Sequence, residues 1–197
     1  MRNAELFYSI QGEGKLTGVP SVFVRASGCN LRCTWCDTPY ASWDPEGGEM
    51  PADEIVRRVR DFGTKHTVVT GGEPMIMPDV VDLCAALREA GQHVTIETAA
   101  TVFKPVALDL ASLSPKLSNS TPMQREGGKF AEMHERQRLN FDVIQQFIDS
   151  SPDFQLKFVV SSETDLAEIE HILAKLRNFS AEDVLLMPEG IDTTTLA

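Results

Sequence analysis

The sequence predicts an α/β fold in which about six parallel strands form an open or partial barrel with helices packed outside. Two observations predict this fold. Short segments typical of strands alternate with longer amphipathic segments, a pattern typical of a parallel sheet with right-handed crossovers. The strands are also too few for a complete eight-stranded barrel. With 197 residues, 42% of them hydrophobic, the chain suits one compact domain over residues 1–197.

Most of the predicted strands are short runs rich in β-branched and aromatic residues, and the run DLASLS at residues 109–114 carries a weaker strand signal. They cover residues 21–26, 66–70, 93–97, 109–114, 155–160 and 183–187. The predicted helices have apolar residues at helical spacing; one starts at Pro51 and another ends at Gly91. They cover residues 51–62, 78–90, 139–149 and 164–176. Residues 119–138 are polar and lack apolar periodicity, so we expect a long loop or partly ordered insertion there.

Charge and hydropathy argue against two classes of partner. The chain carries 18 Lys and Arg against 29 Asp and Glu, a net charge of −11. This acidic balance argues against broad binding to the phosphate backbone of nucleic acid. No apolar run approaches the roughly 20 residues that a membrane span needs. The first residues also lack the apolar segment of a signal peptide, so we expect a cytoplasmic protein without membrane contact.

Three of the four cysteines form a C-x3-C-x2-C motif directly after the first predicted strand: Cys29, Cys33 and Cys36. Ligands in α/β proteins collect at the carboxyl ends of strands. Three closely spaced thiolates can hold three irons of a [4Fe–4S] cubane and leave the fourth iron open to a small chelating molecule. The motif therefore predicts an iron–sulfur cluster.

The alternative interpretation of the cysteines is a structural zinc site, as in a zinc-binding interaction module. Such a site normally needs four ligands, often in two separated pairs. The remaining cysteine, Cys84, lies in an apolar helical stretch and is expected in the core. His66 and His93, each at the start of a predicted strand, are the candidates to complete a zinc site.

Polar motifs also follow the other predicted strands. TGGEP at residues 70–74 offers two glycines for close backbone approach and, in Glu73, an acceptor for an ammonium group. Residues 97–98, 114–116 and 187–190 end later strands in the same way. Taken alone, TGGEP is better explained as an ordinary strand-to-helix turn, and the later motifs are equally compatible with a capped loop.

The cysteine motif, with the aromatic Trp35 before its last cysteine, resembles that of the radical S-adenosylmethionine (SAM) superfamily, and TGGEP resembles the GGE element of the same superfamily. The resemblance implies that the open iron binds the amino and carboxylate groups of SAM. Reduction of the cluster then splits SAM into methionine and a 5′-deoxyadenosyl radical. Glu73 would bind the methionine amino group, and Trp35 would pack near the adenine.

The N-terminal segment narrows the resemblance. FYSIQGEG, followed by GVPSVFVRASGCNLRCTWCDTPYA, resembles the 7-carboxy-7-deazaguanine synthase family of the queuosine pathway, and the resemblance continues through TGGEP, IET and SPK to about Gly190. It implies conversion of 6-carboxy-5,6,7,8-tetrahydropterin to 7-carboxy-7-deazaguanine with loss of ammonia, SAM being regenerated and Mg²⁺ assisting. It also implies a homodimer and a reductant such as flavodoxin.

The resemblance assigns residues by their positions in these motifs. It implies cluster ligation by the three cysteines of the motif and a magnesium ligand in Thr38, whose hydroxyl suits a hard cation unless it merely caps a turn. The residues implied to contact substrate are Ile10, Gln11, Gly12, Arg25 and Thr70, with Arg25 on the carboxylate unless it forms only a surface ion pair. Those implied to line the SAM site are Trp35, Cys36, Asp37, Gly72, Glu73, Ser114, Pro115, Lys116, Met187, Pro188, Glu189 and Gly190.

Two departures and one rival accompany the resemblance. The family usually has glycine where this chain has Ala100, which costs about 1 kcal/mol if the position needs positive φ. The family also continues past the final Thr195-Leu196-Ala197, so we expect that a C-terminal tail is missing. The rival is another radical SAM enzyme, such as a glycyl-radical-enzyme activase, which shares the cysteines and GGE but not the IQGEG opening.

Overall fold

The computed structural model describes residues 1–190 and shows one eight-stranded sheet. The strand order is β3-β1-β2-β4-β5-β6-β7-β8, and the run from β2 to β8 is parallel throughout. Strands β1 and β3 add an antiparallel edge beside β2. The six parallel strands confirm the predicted partial barrel, since the sheet runs from one edge strand to the other without closing.

The strands and helices alternate as the sequence predicts. The strands are β1 (Arg2–Ile10), β2 (Pro20–Ala26), β3 (Gly48–Glu49), β4 (His66–Gly71), β5 (His93–Thr98), β6 (Leu110–Leu113), β7 (Phe154–Val160) and β8 (Val184–Pro188). The helices are α1 (Pro39–Ser42), α2 (Ala52–Asp61), α3 (Val80–Glu89), α4 (Ala131–Gln137), α5 (Phe141–Ser150) and α6 (Asp165–Leu173). Among these helices none is long and apolar enough to cross a membrane.

The parallel strands have one apolar face and one polar face, because alternate side chains point to opposite sides of a sheet. The apolar face packs against the helices: Val24 and Ile96 belong to one buried core with Leu83 of α3 and Phe147 of α5. The other face carries polar side chains and lines the concave side of the partial barrel. The helices therefore cover only the outside, and the inside is left for ligands.

The structure differs from the sequence-based prediction at two places. Strand β1 was not predicted, although it pairs with β2 over its whole length. Residues 119–138 do not form a loop throughout: they contain helix α4 and a fully buried His134. Strand β1 is stabilised by pairing with β2, and residues 119–138 are stabilised by contacts with the loop that carries Cys29–Cys36. A local hydrophobic pattern does not reveal contacts of this kind.

Candidate active site

A cavity of about 330 Å³ opens at the carboxyl ends of the parallel strands. Its lining comes from every parallel strand or the turn after it, together with the cysteine loop between β2 and α1. The residues that line it are Glu13, Arg25, Cys29, Leu31, Cys33, Trp35, Cys36, Asp37, Thr38, Ser42, Thr70, Gly71, Gly72, Glu97, Thr98, Ala99, Ser114, Lys116, Lys157, Val159, Met187, Pro188, Glu189 and Gly190. Most residues that the sequence nominated thus meet at one place.

The cysteine loop is held against the TGGEP turn by backbone hydrogen bonds. The amide of Gly72 donates to the carbonyl of Ala26 (3.0 Å), and the amide of Glu73 donates to the carbonyl of Gly28 (2.9 Å). A Cβ on Gly72 would lie inside van der Waals contact with the carbonyl oxygens of Gly28 and Ala41. Glycine is therefore required at residue 72 because two backbones pack there without room for a side chain.

The three cysteine side chains fit a cluster better than a single ion. All three line one wall of the cavity, yet within residues 1–190 no three His, Cys, Asp or Glu side chains surround a point that could hold one metal ion. In a cubane each thiolate binds a different iron, so sulfurs spread along a wall suit it. Burial raises the pKa of Cys29 to about 12 and that of Cys33 to about 11, so metal binding must release their protons.

The residues proposed for a zinc site lie elsewhere. Cys84 is fully buried in the core between α3 and the sheet. The rings of His66 and His93 contact each other, with centroids 4.8 Å apart, at the starts of β4 and β5. The cysteine loop lies at the other end of the parallel strands, their carboxyl end. None of the three can join the cysteine motif in one coordination sphere.

Glu73 lies beneath the cavity wall and is hydrogen-bonded within the protein. Its carboxylate accepts from the amides of Met75 (3.0 Å) and Ala99 (2.9 Å) and from the hydroxyl of Thr98 (2.7 Å). Burial raises the pKa of Glu73, and these hydrogen bonds oppose that rise. The side chain does not line the cavity, so its contact with a SAM ammonium group stays a prediction.

Side chains beside the cysteine wall suit the remaining parts of SAM. The Trp35 indole donates from Nε1 to Oδ1 of Asn119 (3.2 Å), and the Lys116 ammonium lies 5.5 Å from the indole centroid. Lys116 also donates to Oγ of Ser114 (2.8 Å). An aromatic face beside a cation offers a stacking surface and a partner for a carboxylate.

A second part of the cavity wall carries a carboxylate, Glu97, that the sequence did not single out as a ligand. Oε1 of Glu97 accepts from Nε2 of Gln11 (2.9 Å), and Oε2 accepts from the hydroxyl of Thr70 (2.7 Å). Gln11 and Thr70 are themselves buried. Because Glu97 lines the cavity and each carboxylate oxygen can accept more than one hydrogen bond, the group can accept two further N–H bonds from a ligand.

Arg25 lies on the same wall. Glu5 binds it from outside the cavity, and Tyr40 in turn binds Glu5. Nε of Arg25 donates to Oε1 of Glu5 (2.5 Å), and the hydroxyl of Tyr40 donates to the same oxygen (2.5 Å). Burial raises the pKa of Glu5, but the bonds from Tyr40 and Arg25 outweigh it and lower the pKa overall. The Nη edge of Arg25, which is free of ion pairs in the described chain, remains available to an anion.

Thr38 occupies the N-cap position of α1 but does not cap it with its side chain. Its hydroxyl contacts Oδ1 of Asp37 at 3.3 Å and lies 3.8 Å from the Cys36 sulfur. The turn-capping alternative is therefore wrong for this hydroxyl. Five predicted residues do not line the cavity: Ile10, which is 62% exposed, Gln11, Gly12, Glu73 and Pro115. Of these, Gln11 is hydrogen-bonded to Glu97, which does line it.

Several residues of the site escaped sequence analysis. Lys157 of β7 reaches into the cavity and forms an ion pair with Glu13 of the N-terminal loop. Glu97 was noted for its place at the carboxyl end of a predicted strand, but it was given no role. The Lys157–Glu13 pair joins residues 144 positions apart, and no local sequence pattern predicts such a pair.

An open parallel barrel with a three-cysteine loop at its carboxyl edge is the architecture of radical SAM enzymes, and the family model of the Radical SAM superfamily matches residues 23–117. A 7-carboxy-7-deazaguanine synthase of Rhodopirellula baltica is 49% identical over 98% of this chain and 75% of its own length. The one from Halobacterium salinarum is 45% identical over 94% and 76%. The crystal structure of QueE from Escherichia coli matches the fold with a TM-score of 0.71 at 23% identity, over 99% of this chain and 85% of that one. The chain belongs to the 7-carboxy-7-deazaguanine synthase family.

Proposed function

We propose that the protein converts 6-carboxy-5,6,7,8-tetrahydropterin to 7-carboxy-7-deazaguanine with loss of ammonia, as a step of queuosine biosynthesis. One observation carries the proposal: a single cavity joins the three-cysteine wall to a wall formed by Arg25 and the Glu97–Gln11–Thr70 cluster. The first wall suits a cluster with SAM. The second suits a small acid with an amide-like ring. The name of the two relatives, 7-carboxy-7-deazaguanine synthase, agrees with that chemistry.

Cys29, Cys33 and Cys36 would hold the [4Fe–4S] cluster, and Trp35 with Lys116 would hold SAM. When bound, the cluster and SAM would supply the one-electron chemistry that abstracts a hydrogen atom from C6 of the pterin. The chain's own part is to orient C6 toward the cysteine wall and to exclude water from it. Proximity of this kind is worth several kcal/mol of activation free energy.

The substrate wall can orient the pterin by its two polar ends. A guanidinium matches a carboxylate with paired N–H bonds, so the free Nη edge of Arg25 would bind the 6-carboxylate. The pyrimidine ring of the pterin presents an N–H beside an amino group, and Glu97 would accept both. Gln11 and Thr70 fix the Glu97 carboxylate in the required orientation.

Thr38 would contribute one oxygen ligand to Mg²⁺. Its hydroxyl is at the cavity wall and is not used as a cap. Because Mg²⁺ keeps several waters, loss of one oxygen ligand has a partial effect. Thr38→Ala should weaken the magnesium stimulation of product formation without reducing iron content; an unchanged magnesium response would refute the assignment. The family resemblance extends the proposal to a homodimer served by a reductant such as flavodoxin.

The substrate wall is tested by separating SAM cleavage from product formation. The variant Arg25→Ala leaves the bound carboxylate without its partner, a loss of about 2–5 kcal/mol for a buried pair. It should retain iron and slow SAM cleavage while its product-forming efficiency falls at least about 30-fold. Glu97→Gln, which replaces an acceptor with a donor, should show the same separation. The measurement is 5′-deoxyadenosine and 7-carboxy-7-deazaguanine per enzyme at several pterin concentrations.

A matched control is Arg58→Ala, which removes an exposed ion pair with Glu54 on α2, away from the cavity. This variant should behave as wild type. Wild-type product yield and substrate affinity in Arg25→Ala would contradict the substrate wall. If the wild-type protein carries iron, cleaves SAM and modifies a glycyl-radical partner but not the pterin, the activase alternative is correct.

A further inference from the structure

The segment between β6 and α5 contacts the cysteine loop at successive residues. The amide of Thr34 donates to the carbonyl of Ser120 (2.7 Å), and the carbonyl of Thr34 accepts from Arg125 (3.2 Å). Trp43 packs edge-on against Phe130, with ring centroids 5.6 Å apart. We call residues 117–138 the brace. The two hydrogen bonds at Thr34 hold the backbone of the loop that carries the three cysteines, and the proposed chemistry uses neither of them.

At the centre of the brace lies His134, which is 0% exposed. Its Nδ1 lies 3.1 Å from the amide nitrogen of Arg32 and accepts a hydrogen bond from it. Its Nε2 lies 2.8 Å from Oγ of Ser120, and that hydroxyl donates to the carbonyl of Leu117 (2.6 Å).

These contacts assign every proton in the chain of hydrogen bonds. The Arg32 amide can only donate, so Nδ1 of His134 must be bare and Nε2 must carry the proton. Ser120 accepts that proton and passes its own hydrogen to Leu117. A different tautomer would set two donors against each other at Arg32. The imidazole is therefore a neutral link of fixed direction from the brace to the cysteine loop.

Arg32 is the last residue of the x3 spacer between Cys29 and Cys33 and directly precedes Cys33. Its guanidinium folds back onto the same loop and donates to the carbonyls of Cys29 and Leu31, both at 2.7 Å. The loop backbone at this residue is thus held from inside by its own side chain and from outside by His134. Rotation of the Arg32 peptide would move the two cysteines relative to each other.

We propose that His134 is a positioning residue for the cluster: its Nδ1 fixes the Arg32 amide and so sets the separation of Cys29 and Cys33 before and after the cluster is bound. The inference rests on the three cysteines being cluster ligands, as in the proposed function. It does not depend on the identity of the substrate.

Two substitutions at the same buried site separate the two ends of the imidazole. In His134→Asn the side-chain amide oxygen takes the place of Nδ1 and keeps an acceptor for Arg32. In His134→Gln the amide group extends toward Ser120 and leaves the Arg32 amide without an acceptor. Because an unpaired buried amide is costly, we expect the Gln variant of the reconstituted holoenzyme to lose iron to a chelator about tenfold faster than wild type, with the Asn variant within about twofold.

Two further readouts do not rely on activity. Hydrogen exchange of the peptide spanning residues 29–36, measured by mass spectrometry, should be faster in the Gln variant and close to wild type in the Asn variant. The electron paramagnetic resonance spectrum of the reduced cluster, with and without SAM, should be broadened in the Gln variant alone. Ser120→Ala, which removes the acceptor at Nε2 and the donor to the Leu117 carbonyl but leaves Nδ1 facing Arg32, should give an intermediate rate of iron loss and covers the case in which a His134 variant does not fold.

Gln145→Ala is the control for general loss of stability. Gln145 is buried and bonded to Arg177 and Asp149, on helix α5 away from the cysteine loop. It should lower the melting temperature without faster iron loss. Equal iron loss in the Asn and Gln variants, or equal loss in Gln145→Ala, would overturn the proposal. If wild-type protein binds no iron, the cluster assignment fails instead, and the exchange measurement on the same protein still tests His134.

Discussion

Ala100 shows how one residue can hold a backbone conformation that its type disfavours. Its φ is 55°, in the left-handed region, and its methyl group is fully buried in the core. Left-handed geometry costs a non-glycine residue about 1–2 kcal/mol. The buried methyl group returns about 0.8 kcal/mol, and alanine also restricts the unfolded chain more than glycine does. The departure from the family glycine is therefore close to balanced.

Ala100→Gly should change the free energy of unfolding by less than about 1 kcal/mol, because relief of the backbone and loss of the methyl group offset each other. Ala100→Val should lower the free energy of unfolding by more than about 2 kcal/mol. A β-branched residue is more strained at this φ, and its additional methyl groups have no space in the core. Urea unfolding of both variants measures this. A valine variant as stable as wild type would show that the position tolerates another backbone geometry.

Among the elements, the parallel strands are the part of the fold that the sequence predicted best. All six predicted strands exist, within one or two residues, and most of them are buried runs rich in β-branched residues; β6 (LASL) has none and is recognisable only as a short apolar run. Strand β1 lacks that signal, since most of its residues are only partly buried. Helix α4 is short and polar, and its stability comes from contacts with the cysteine loop made by side chains such as His134.

For the site, local motifs predicted which residues meet. They did not predict the pairs between residues that are far apart in the sequence. Cys29–Cys36, Thr70–Gly72 and Ser114 follow strands, so parallel pairing brings them together at one edge. The Glu97–Gln11 bond and the Arg25–Glu5 pair depend on how β1 and its loop cross the sheet. No periodicity encodes such crossings.

Gly72 links two elements, the end of β4 and the cysteine loop, and this gives a prediction at the element scale. Gly72→Ala would force the turn away from the backbone of Gly28 and Ala41. Overpacking of this kind typically costs about 1–3 kcal/mol, and it displaces the cysteine loop as well. We expect a lower melting temperature together with reduced iron content after reconstitution. Gly63→Ala, at an open position with positive φ, is the control: it should lose stability but keep its iron. Full iron content in Gly72→Ala would contradict the packing argument.

At the scale of the whole molecule, burial of His134 couples stability to pH. Burial lowers the pKa of His134 to about 4; Glu135 opposes the change, and Arg138 and Lys116 favour it. Unfolded histidine has a pKa of about 6.5, so between these values the unfolded chain binds one more proton than the folded chain. Stability contributed by the neutral imidazole is therefore complete above about pH 6.5 and is lost as the pH falls toward 4.

The wild-type protein should lose on the order of 2 kcal/mol more stability between pH 7 and pH 5 than His134→Asn, which has no group to titrate there. Carboxylates with lowered pKa values, such as Glu135, also lose stability in acid, but they remain in both proteins and cancel to first order. Urea unfolding of iron-free protein at pH 7, 6 and 5 gives the comparison. Parallel pH curves for the two proteins would contradict the buried neutral histidine.

In the proposed function, one cavity brings a radical-generating cysteine wall and a pterin-binding wall together. The most direct test is to incubate the anaerobically reconstituted protein with SAM, reductant, Mg²⁺ and 6-carboxytetrahydropterin deuterated at C6. We expect 7-carboxy-7-deazaguanine as product and deuterium carried into the recovered SAM, because hydrogen abstraction at C6 and regeneration of SAM occur in the same site. A protein that is loaded with iron and cleaves SAM, yet forms no deazaguanine and transfers no deuterium, would contradict it.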